Sequence, residues 1–259
     1  MKTVSNNSNS YFAESGIKQA LDEMEEDVRA LYQSDETPWV IGYSGGKDST
    51  AVVQLVWNAL STMDEQQRNR KPIFVITTDT LVENPIVATW VNSSIQAMNA
   101  AAKEQKMPFT AKLLEPEVQE SFWVNLIGKG YPAPRNGFRW CTERLKIKPS
   151  SKFIRDTASE FGETILLIGT RKAESATRSA SIQRRKVVSK HGLTAHDELP
   201  NTLVHSPVQD WTDDDVWTFL TLRKNPWNHS NKELLNLYRG ATADNECPVV
   251  VDTSTPSCG

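Results

Sequence analysis

The sequence lacks the features that mark membrane, secreted and strongly cationic proteins. No apolar run is long enough to cross a bilayer, and the first ten residues contain no apolar stretch of the kind found in secretory signals. Three cysteines in 259 residues are too few for a disulfide framework. The formal net charge of -3 excludes a basic field over the whole surface, so nucleic acid could be contacted only through a local patch. We therefore expect a cytoplasmic protein with no membrane partner.

What the sequence does contain is an alternation of short apolar runs and helical segments. The apolar runs predict strands at 39–41, 73–76, 109–114 and 165–168. Helical spacing or capping predicts helices at 17–31, 50–60, 84–106, 122–127 and 150–161, and one that follows Thr212 as its N-cap. Strands that are apolar on both faces and alternate with helices indicate a parallel-stranded sheet with helices on both faces, that is, an α/β fold.

Polar loops follow three of these predicted strands. They cover residues 44–49, 77–79 and 169–171. In parallel sheets, ligands bind beyond the carboxyl ends of the strands, where such loops meet. The sequence therefore predicts a single site built from these three loops.

The first loop has the composition of a phosphate-binding turn. Gly45 and Gly46 let the main chain approach an anion closely, and the amides at the start of the following helix point toward it. Ser44 and Ser49 add hydroxyl groups, and Lys47 adds a mobile positive charge. This pattern predicts a nucleotide phosphate as the ligand.

Two common phosphate loops do not fit this stretch. A Walker A loop would need glycine where Ile41 stands and serine or threonine where Asp48 stands, and no G-x-G-x-x-G is present. Asp48 itself has two interpretations of equal weight. It is either a carboxylate of a magnesium site or the cap of the helix that begins here.

Ser44–Ser49 resembles the PP-loop of the adenine nucleotide α-hydrolase (HUP-type) superfamily. That superfamily includes phosphoadenosine phosphosulfate (PAPS) reductases, ATP sulfurylase small subunits and thiouridine-forming enzymes. In it, the loop holds the pyrophosphate that ATP loses when a substrate is adenylated. Three later segments, 139–149, 169–178 and 206–217, are similar to elements of PAPS reductase relatives in the same order.

This resemblance implies a role for individual residues. Lys47, Asp48 and Cys141 would be catalytic. ATP and its phosphates would be bound by Ser44, Gly45, Gly46, Lys47, Asp48, Ser49, Thr78, Asp79, Gly169 and Arg171. Substrate phosphate would be bound by Arg144, Lys146, Lys148 and Arg178. Two plainer interpretations stay open: Thr78 and Asp79 as a polar strand end, and 144–148 as a surface strand.

The cysteines separate the branches of the family. Reductases carry a C-terminal E-C-G-[LI]-H cysteine or a Cys-Cys pair at mid-domain, whereas Cys141 stands alone between Trp140 and Thr142. The stretches 128–149, 169–179 and 246–259 most resemble DndC/SspD-type DNA phosphorothioation proteins. The resemblance implies an ATP pyrophosphatase and sulfurtransferase that adenylates a DNA phosphate, after which sulfur replaces a non-bridging oxygen.

The same resemblance implies cofactors and partners. The cofactors would be ATP, Mg²⁺ and a [4Fe-4S] cluster with Cys247 and Cys258 as candidate ligands, although Cys247 is equally well interpreted as a buried small residue. The chain ends one residue past Cys258, where the family has further cysteines, so either the sequence is truncated or this member is divergent. The partners would be DNA, a cysteine desulfurase as sulfur donor, and further phosphorothioation subunits that include an ATPase.

The sequence predicts three regions and leaves two other functions open. The regions are an N-terminal helix at 1–36, a PP-loop ATP pyrophosphatase or PAPS reductase-like domain at 37–222, and a helical, cysteine-containing segment at 223–259. One other function is a PAPS reductase-like enzyme that acts on a small sulfonucleotide. The other is a DNA-binding subunit that has kept the fold without turnover.

Overall fold

A computed structural model describes residues 10–243, apart from 136, 176–178, 181, 183, 185, 186 and 190. Three of the predicted functional residues, Arg178, Cys247 and Cys258, lie outside the described residues. The strands are β1 (Trp39–Gly42), β2 (Ile73–Thr78), β3 (Phe109–Leu114), β4 (Thr164–Leu167), β5 (Thr194–Ala195) and β6 (Thr202–His205). The helices are α1 (Ile17–Gln33), α2 (Lys47–Ser61), α3 (Glu65–Arg68), α4 (Pro85–Glu104), α5 (Lys148–Phe161), α6 (Asp213–Leu222) and α7 (Asn231–Ala243).

The strands form one sheet in the order β3-β2-β1-β4-β6-β5. All neighbouring pairs are parallel except β5 with β6, which is antiparallel. The predicted α/β fold is confirmed, and the sheet has two strands that the sequence did not predict, β5 at the edge and β6 beside it. Neither carries an apolar run long enough to predict a strand, because β5 has only two residues and β6 has only Leu203 and Val204 as apolar residues. The strand order reverses between β1 and β4, so a ligand crevice is expected at their carboxyl ends.

The sheet is covered on both faces, as alternation along β1 illustrates. Trp39 and Ile41 belong to the large core formed with the apolar sides of α1, α2, α4 and α6. Val40, between them, belongs to a smaller core on the opposite face, where it packs with Ile154 of α5. Successive side chains point to opposite faces of a strand, so both cores require an apolar residue at every position of β1.

Helix α2 begins earlier than the apolar periodicity predicts. Gly46 is its N-cap in an extended conformation, and Lys47 and Asp48 lie in its first turn. The predicted start at Thr50 was late because the polar residues of the first turn carry no apolar signal. The consequence is that Lys47 and Asp48 are held by a helix rather than by a loop.

Among the described residues, no helix combines the length and the apolar character that crossing a bilayer would require.

At the opposite edge of the sheet, a buried lysine joins α1 to β2. The Lys71 side chain is 1% exposed, and its ammonium lies 2.7 Å from Asp35 Oδ1. It also lies 4.8 Å from the ring centroid of Tyr32 and 5.1 Å from that of Trp39. Burial by itself would raise the pKa of Asp35, but the hydrogen bond and charge of Lys71 lower it overall. The lysine is thus a buried charge that depends on one carboxylate.

We predict that Asp35→Asn lowers the free energy of unfolding at neutral pH by about 2 kcal/mol, because it leaves the Lys71 ammonium buried without a counter-charge. Lys71→Met removes the charge and keeps the volume, and it should cost about 1 kcal/mol or less. The folded-state pKa of Asp35 is depressed, so its stabilisation is present above the unfolded pKa and is lost as pH falls through the folded pKa. Denaturant titrations of both variants at neutral and acidic pH check this. An equal cost for the two variants would contradict it.

Candidate functional site

The glycine loop after β1 is tied to itself and to its neighbours by short contacts. Ser49 Oγ accepts a hydrogen bond from the Ser44 amide at 3.2 Å and donates one to the Gly46 carbonyl oxygen at 3.1 Å. Gly45 has φ of 77°, and a Cβ there would lie 2.6 Å from Val91 Cγ2. Only glycine fits this left-handed, closely packed position. The conformation of the loop is therefore fixed by its own contacts.

The loop after β4 packs directly against the first turn of α2. A Cβ at Gly169 would lie 2.8 Å from the carbonyl carbon of Asp48 and 3.0 Å from the Ser49 amide nitrogen. Because these are main-chain atoms that cannot swing away, the close approach requires glycine. The structure thus brings Gly169 and Asp48, which were predicted from separate loops, into contact.

Arg171 is the centre of the site. Its side chain is 3% exposed, and Nε donates to Asp48 Oδ1 at 2.6 Å. Its Nη2 donates to Asp213 Oδ1 at 2.8 Å, and its Nη1 donates to the Trp211 carbonyl oxygen at 3.2 Å. The guanidinium fork therefore joins the β4 loop, the first turn of α2 and the start of α6.

Lys47 completes a cluster of two cations and two carboxylates. Its Nζ lies 3.2 Å from Asp48 Oδ2 and 3.2 Å from Asp213 Oδ1. Burial alone would lower the pKa of Lys47, but the charges of Asp48 and Asp213 outweigh it and raise the pKa above its ordinary value. Lys47 is therefore positively charged at neutral pH.

Asp48 does not cap α2, which removes one of its two interpretations. The N-cap is Gly46, which makes no side-chain cap bond, and Asp48 lies within the first turn of the helix. Instead, both oxygens of the Asp48 carboxylate face cations, because Arg171 and Lys47 lie on either side of it. The magnesium interpretation stays a prediction.

Two residues of the site were missed by sequence reasoning, Asp213 and Tyr238. Asp213 is held in place because Thr212 and Asp215 form a capping box that starts α6 there. The Tyr238 hydroxyl of α7 accepts a hydrogen bond from the Lys47 amide at 3.1 Å, and Lys47 Nζ lies 5.4 Å from the Tyr238 ring centroid. Asp213 was recognisable only as a first-turn acid, and nothing local marked Tyr238.

Helix α4 supports the outer side of the loop. The Trp90 indole donates to the Gly45 carbonyl oxygen at 3.2 Å and lies against the His229 ring at a centroid distance of 3.9 Å. Burial lowers the pKa of His229 below its ordinary value, so the ring is neutral at neutral pH. The side of the loop that faces α4 is thus lined by two uncharged aromatic rings, those of Trp90 and His229.

Thr78 and Asp79 lie at the same edge, at the end of β2. Thr78 Oγ1 is 3.1 Å from Ser150 Oγ, and Asp79 Oδ1 accepts the Leu81 amide at 2.8 Å. These bonds order the loop after β2 and connect it to α5. The adenosine-binding role of Thr78 and Asp79 stays a prediction.

The mid-domain basic residues are not in a surface strand. Thr142–Ile147 forms a short π-helix that continues into α5, and half-buried Cys141 precedes it. Arg144 and Lys148 both pair with Glu120, and Lys146 pairs with Glu83 at 3.1 Å. The strand interpretation is wrong because the segment is helical. The phosphate-binding role of these side chains stays a prediction, and a carboxylate already faces each of them.

A metal could be held only in part by protein side chains. Within the described residues, no group of three or more His, Cys, Asp or Glu side chains could hold a metal ion. Mg²⁺, however, commonly takes one or two carboxylates and completes its shell with water and substrate phosphates. Asp48 and Asp213 are such a pair of hard oxygen donors. For an iron–sulfur cluster, Cys141 is the only thiol in the described ranges, and Cys247 and Cys258 lie outside them.

Comparison with known proteins agrees with this architecture. Residues 38–229 match the family described as phosphoadenosine phosphosulfate reductase domain. The chain belongs to this family. An uncharacterized protein of Methanocaldococcus jannaschii, MJ0066, is 26% identical over 201 residues, which are 78% of this chain and 35% of that relative. The chain therefore spans about a third of the length of the relative it matches.

Solved structures with a similar fold include two that handle sulfur compounds. PAPS reductase from Candida auris, in a phosphate complex, has a TM-score of 0.49 at 16% identity. The alignment covers 86% of this chain and 93% of that chain. The U34-tRNA thiolase NcsA from Methanococcus maripaludis, with its [4Fe-4S] cluster, has a TM-score of 0.47 at 14% identity and covers 89% and 76%. Family membership rests on the sequence match alone.

We predict that Gly169→Ala lowers the free energy of unfolding by about 1–3 kcal/mol, because its Cβ would push the main chain of Asp48 and Ser49 out of place. Gly42→Ala, at the end of β1, is the matched control. Its Cβ would make only ordinary contacts of 3.8 and 3.9 Å, so the change should stay within about 0.5 kcal/mol. Thermal or denaturant unfolding measures both variants. The close packing of the two loops would be refuted if the variants were equally stable.

We predict that Tyr238→Phe tightens the binding of inorganic pyrophosphate by about 2- to 10-fold, because it removes the hydroxyl that competes for the Lys47 amide. The ring that packs beside Lys47 is kept. Isothermal titration calorimetry measures the affinity, and Tyr131→Phe, whose hydroxyl accepts from Arg144 instead, is the control. Weaker binding by Tyr238→Phe would mean that the hydroxyl holds the ligand rather than competing with it.

Proposed function

We propose that this chain is the ATP pyrophosphatase and sulfurtransferase component of a DNA phosphorothioation system. The observation that carries the proposal is the Lys47, Asp48, Arg171 and Asp213 cluster beside a preformed glycine loop at the β1–β4 crevice. Membership of the PAPS reductase domain family supports adenylyl or sulfur chemistry. The choice of DNA as substrate is supported by the segment resemblances in the sequence and by the lone Cys141.

The charge balance of the site explains what it can accept. Two carboxylates neutralise the two cations, so a nucleotide phosphate that enters without a metal would meet Asp48 and Asp213. A magnesium–ATP complex would remove this conflict, because Asp48 and Asp213 could supply oxygen ligands to the metal while Lys47 paired with the phosphates. Asp213 is 62% exposed, so it can leave Lys47 without becoming an unpaired buried charge.

The proposed reaction has two steps, both of which conserve atoms and charge. A non-bridging oxygen of a DNA phosphodiester attacks the α-phosphorus of ATP, the bond from that phosphorus to the bridging oxygen breaks, and pyrophosphate leaves with the electron pair. A sulfur nucleophile then attacks the DNA phosphorus, and AMP leaves with the former DNA oxygen. Hydrosulfide would give the phosphorothioate directly, whereas a cysteine persulfide would leave a Cys–S–S–P linkage, which an external thiol would reduce to release the phosphorothioate. Bound Mg²⁺ would neutralise charge on the leaving pyrophosphate.

The chain's own groups would serve the first step through position and charge. The loop amides and Lys47 hold the β- and γ-phosphates as negative charge builds up on them. Arg171, almost fully buried, keeps Asp48 and Asp213 fixed instead of touching the reacting atoms. Because the Tyr238 hydroxyl occupies the Lys47 amide, it has to move when phosphate arrives.

The sulfur of the second step would come from outside the nucleotide site. Cys141 begins the π-helix at mid-domain and is half-buried, so it is a candidate carrier of the incoming sulfur. A cysteine desulfurase is the proposed donor. A [4Fe-4S] cluster with Cys247 and Cys258 among its ligands is also proposed to take part in sulfur delivery. Further subunits of the phosphorothioation system are proposed to take part as well.

A small sulfonucleotide is the second candidate substrate. The family description favours it, because residues 38–229 match a PAPS reductase domain. The site's phosphate loop would serve a nucleotide sulfonate as well as ATP. The two functions differ in their products, namely pyrophosphate and phosphorothioate DNA in one case and sulfite in the other.

We predict that Lys47→Met lowers DNA-dependent pyrophosphate release from ATP by about 100-fold or more, because it removes the charge that stabilises the leaving group and keeps the buried stem. Lys106→Ala, a surface lysine paired with Glu65, is the control and should leave the rate unchanged. An unchanged rate of pyrophosphate release in Lys47→Met would contradict the adenylation mechanism.

The product decides between the candidate functions. Mass spectrometry of DNA digests from cells with and without the gene should find phosphorothioate dinucleotides only when the gene and Lys47 are both present. Sulfite formed from PAPS in the presence of thioredoxin, with no change in the DNA, would support the reductase instead.

A further inference from the structure

Two aromatic side chains stand exposed on the segment that joins β3 to α5. Trp123 is 58% exposed and Phe138 is 39% exposed. Rings of this size are normally buried, and exposed aromatic groups on a monomer commonly mark a binding surface. We refer to Trp123, Arg135, Phe138 and Arg139 together as the aromatic–arginine surface.

Trp123 is held in place by buried neighbours. Its ring packs edge-on against Phe122 at a centroid distance of 5.2 Å, and Phe122 stacks on Trp140 at 5.4 Å. Trp140 is buried, and its indole donates to the Pro132 carbonyl oxygen at 2.9 Å. An exposed ring with a fixed base loses little conformational freedom when a ligand stacks on it.

Phe138 is presented by a tight turn. Arg135 and Phe138 exchange two backbone hydrogen bonds, of 3.1 and 2.8 Å, and Gly137 between them has φ of 80°. Arg135 and Arg139, which precede and follow Phe138 in the sequence, are both exposed. One exposed aromatic ring and two exposed guanidinium groups therefore occur within five residues.

These two arginines differ from the basic residues that follow them. Arg144, Lys146 and Lys148 all have carboxylate partners. Within the described part of the chain, Arg135 and Arg139 have none. Their guanidinium groups are therefore available to phosphate, for which their fork geometry is suited.

The segment is attached to the edge of the sheet that carries the nucleotide site. Lys146 pairs with Glu83 of the loop after β2, and Ser150 at the start of α5 lies 3.1 Å from Thr78 at the end of β2. Strand β2 is the direct neighbour of β1, from which the glycine loop starts. The C-terminal end of this segment is therefore attached to the same edge of the sheet as the glycine loop.

We propose that the aromatic–arginine surface binds a single-stranded stretch of the DNA substrate, with bases stacked on Trp123 and Phe138 and phosphates paired with Arg135 and Arg139. The choice of DNA rests on the proposed function. Stacking requires bases whose faces are open, which a duplex does not offer. The arginines that lack carboxylate partners favour a polyanion over an apolar protein surface.

The test is the binding of a fluorescent oligothymidylate of about 20 nucleotides to the full chain, measured by anisotropy at two salt concentrations. The wild type should bind it more tightly than a duplex of the same length. The double variant Trp123→Ala, Phe138→Ala should weaken binding by about 10-fold or more, because neither ring remains for a base to stack on. Arg135→Gln with Arg139→Gln should weaken binding and make its salt dependence less steep by about 0.7 for each phosphate that the variant no longer pairs.

Matched controls lie on α5. Phe161 is 45% exposed and Arg155 is exposed, so Phe161→Ala and Arg155→Gln remove the same groups elsewhere and should leave binding unchanged. All four changed positions of the surface are exposed, and ATP binding by each variant should equal that of the wild type. ATP binding therefore serves as the check that the variants fold.

Three results would overturn the proposal that the aromatic–arginine surface binds single-stranded DNA. These are equal oligonucleotide binding by the wild type and the double variant, tighter binding of the duplex, or a Trp123-dependent association of the chain with itself or with another protein in place of DNA. The proposed function fails separately, when Lys47→Met leaves pyrophosphate release unchanged and no phosphorothioate forms. If oligonucleotide binding depends on Trp123 but no phosphorothioate forms, the proposed DNA-binding role of the surface is supported and the proposed function is rejected.

Discussion

The buried guanidinium of Arg171 is the interaction on which the rest of the site depends. It is almost inaccessible to water, so it must be paired, and its three nitrogens meet Asp48, Asp213 and the Trp211 carbonyl oxygen. These partners come from α2, α6 and the loop between β6 and α6. One side chain therefore sets the distance between the glycine loop and the C-terminal helices, and removing it would leave two carboxylates beside a single lysine.

This arrangement gives the four side chains no net charge, and it leaves one contact, that between Lys47 and Asp213, which another anion could replace. Lys47 pairs with the same two carboxylates as Arg171, and Asp213 is the exposed member of the four. A phosphate can therefore take the place of Asp213 at Lys47 while Arg171 keeps its hold on Asp48. A cluster of fixed buried charges and one replaceable contact can bind an anion without reorganising the core.

Local sequence patterns predicted the fold and the glycine loop, but they could not predict contacts between residues that are far apart in the sequence. The parallel sheet and the glycine loop are encoded in short stretches, since periodicity and Gly45-Gly46 act within a few residues. Tyr238 reaches Lys47 across 191 positions, and Glu120 reaches Arg144 across 24. No pattern marks such pairs, so the sequence could not show that Glu120 already pairs with Arg144. Strands β5 and β6 were missed because neither contains an apolar run longer than two residues.

The two halves of the carboxyl edge differ in a way that suits two ligands of unequal size. The β1–β4 crevice is narrow, because Gly169 touches Asp48 and the Trp90 indole closes the back of the loop. The segment after β3 is open, and its rings and arginines face solvent. The proposed function would use the first for the nucleotide phosphates and the second for the DNA. Strand β2 lies between the two, and adenylation would require the DNA phosphate to reach the α-phosphorus across it.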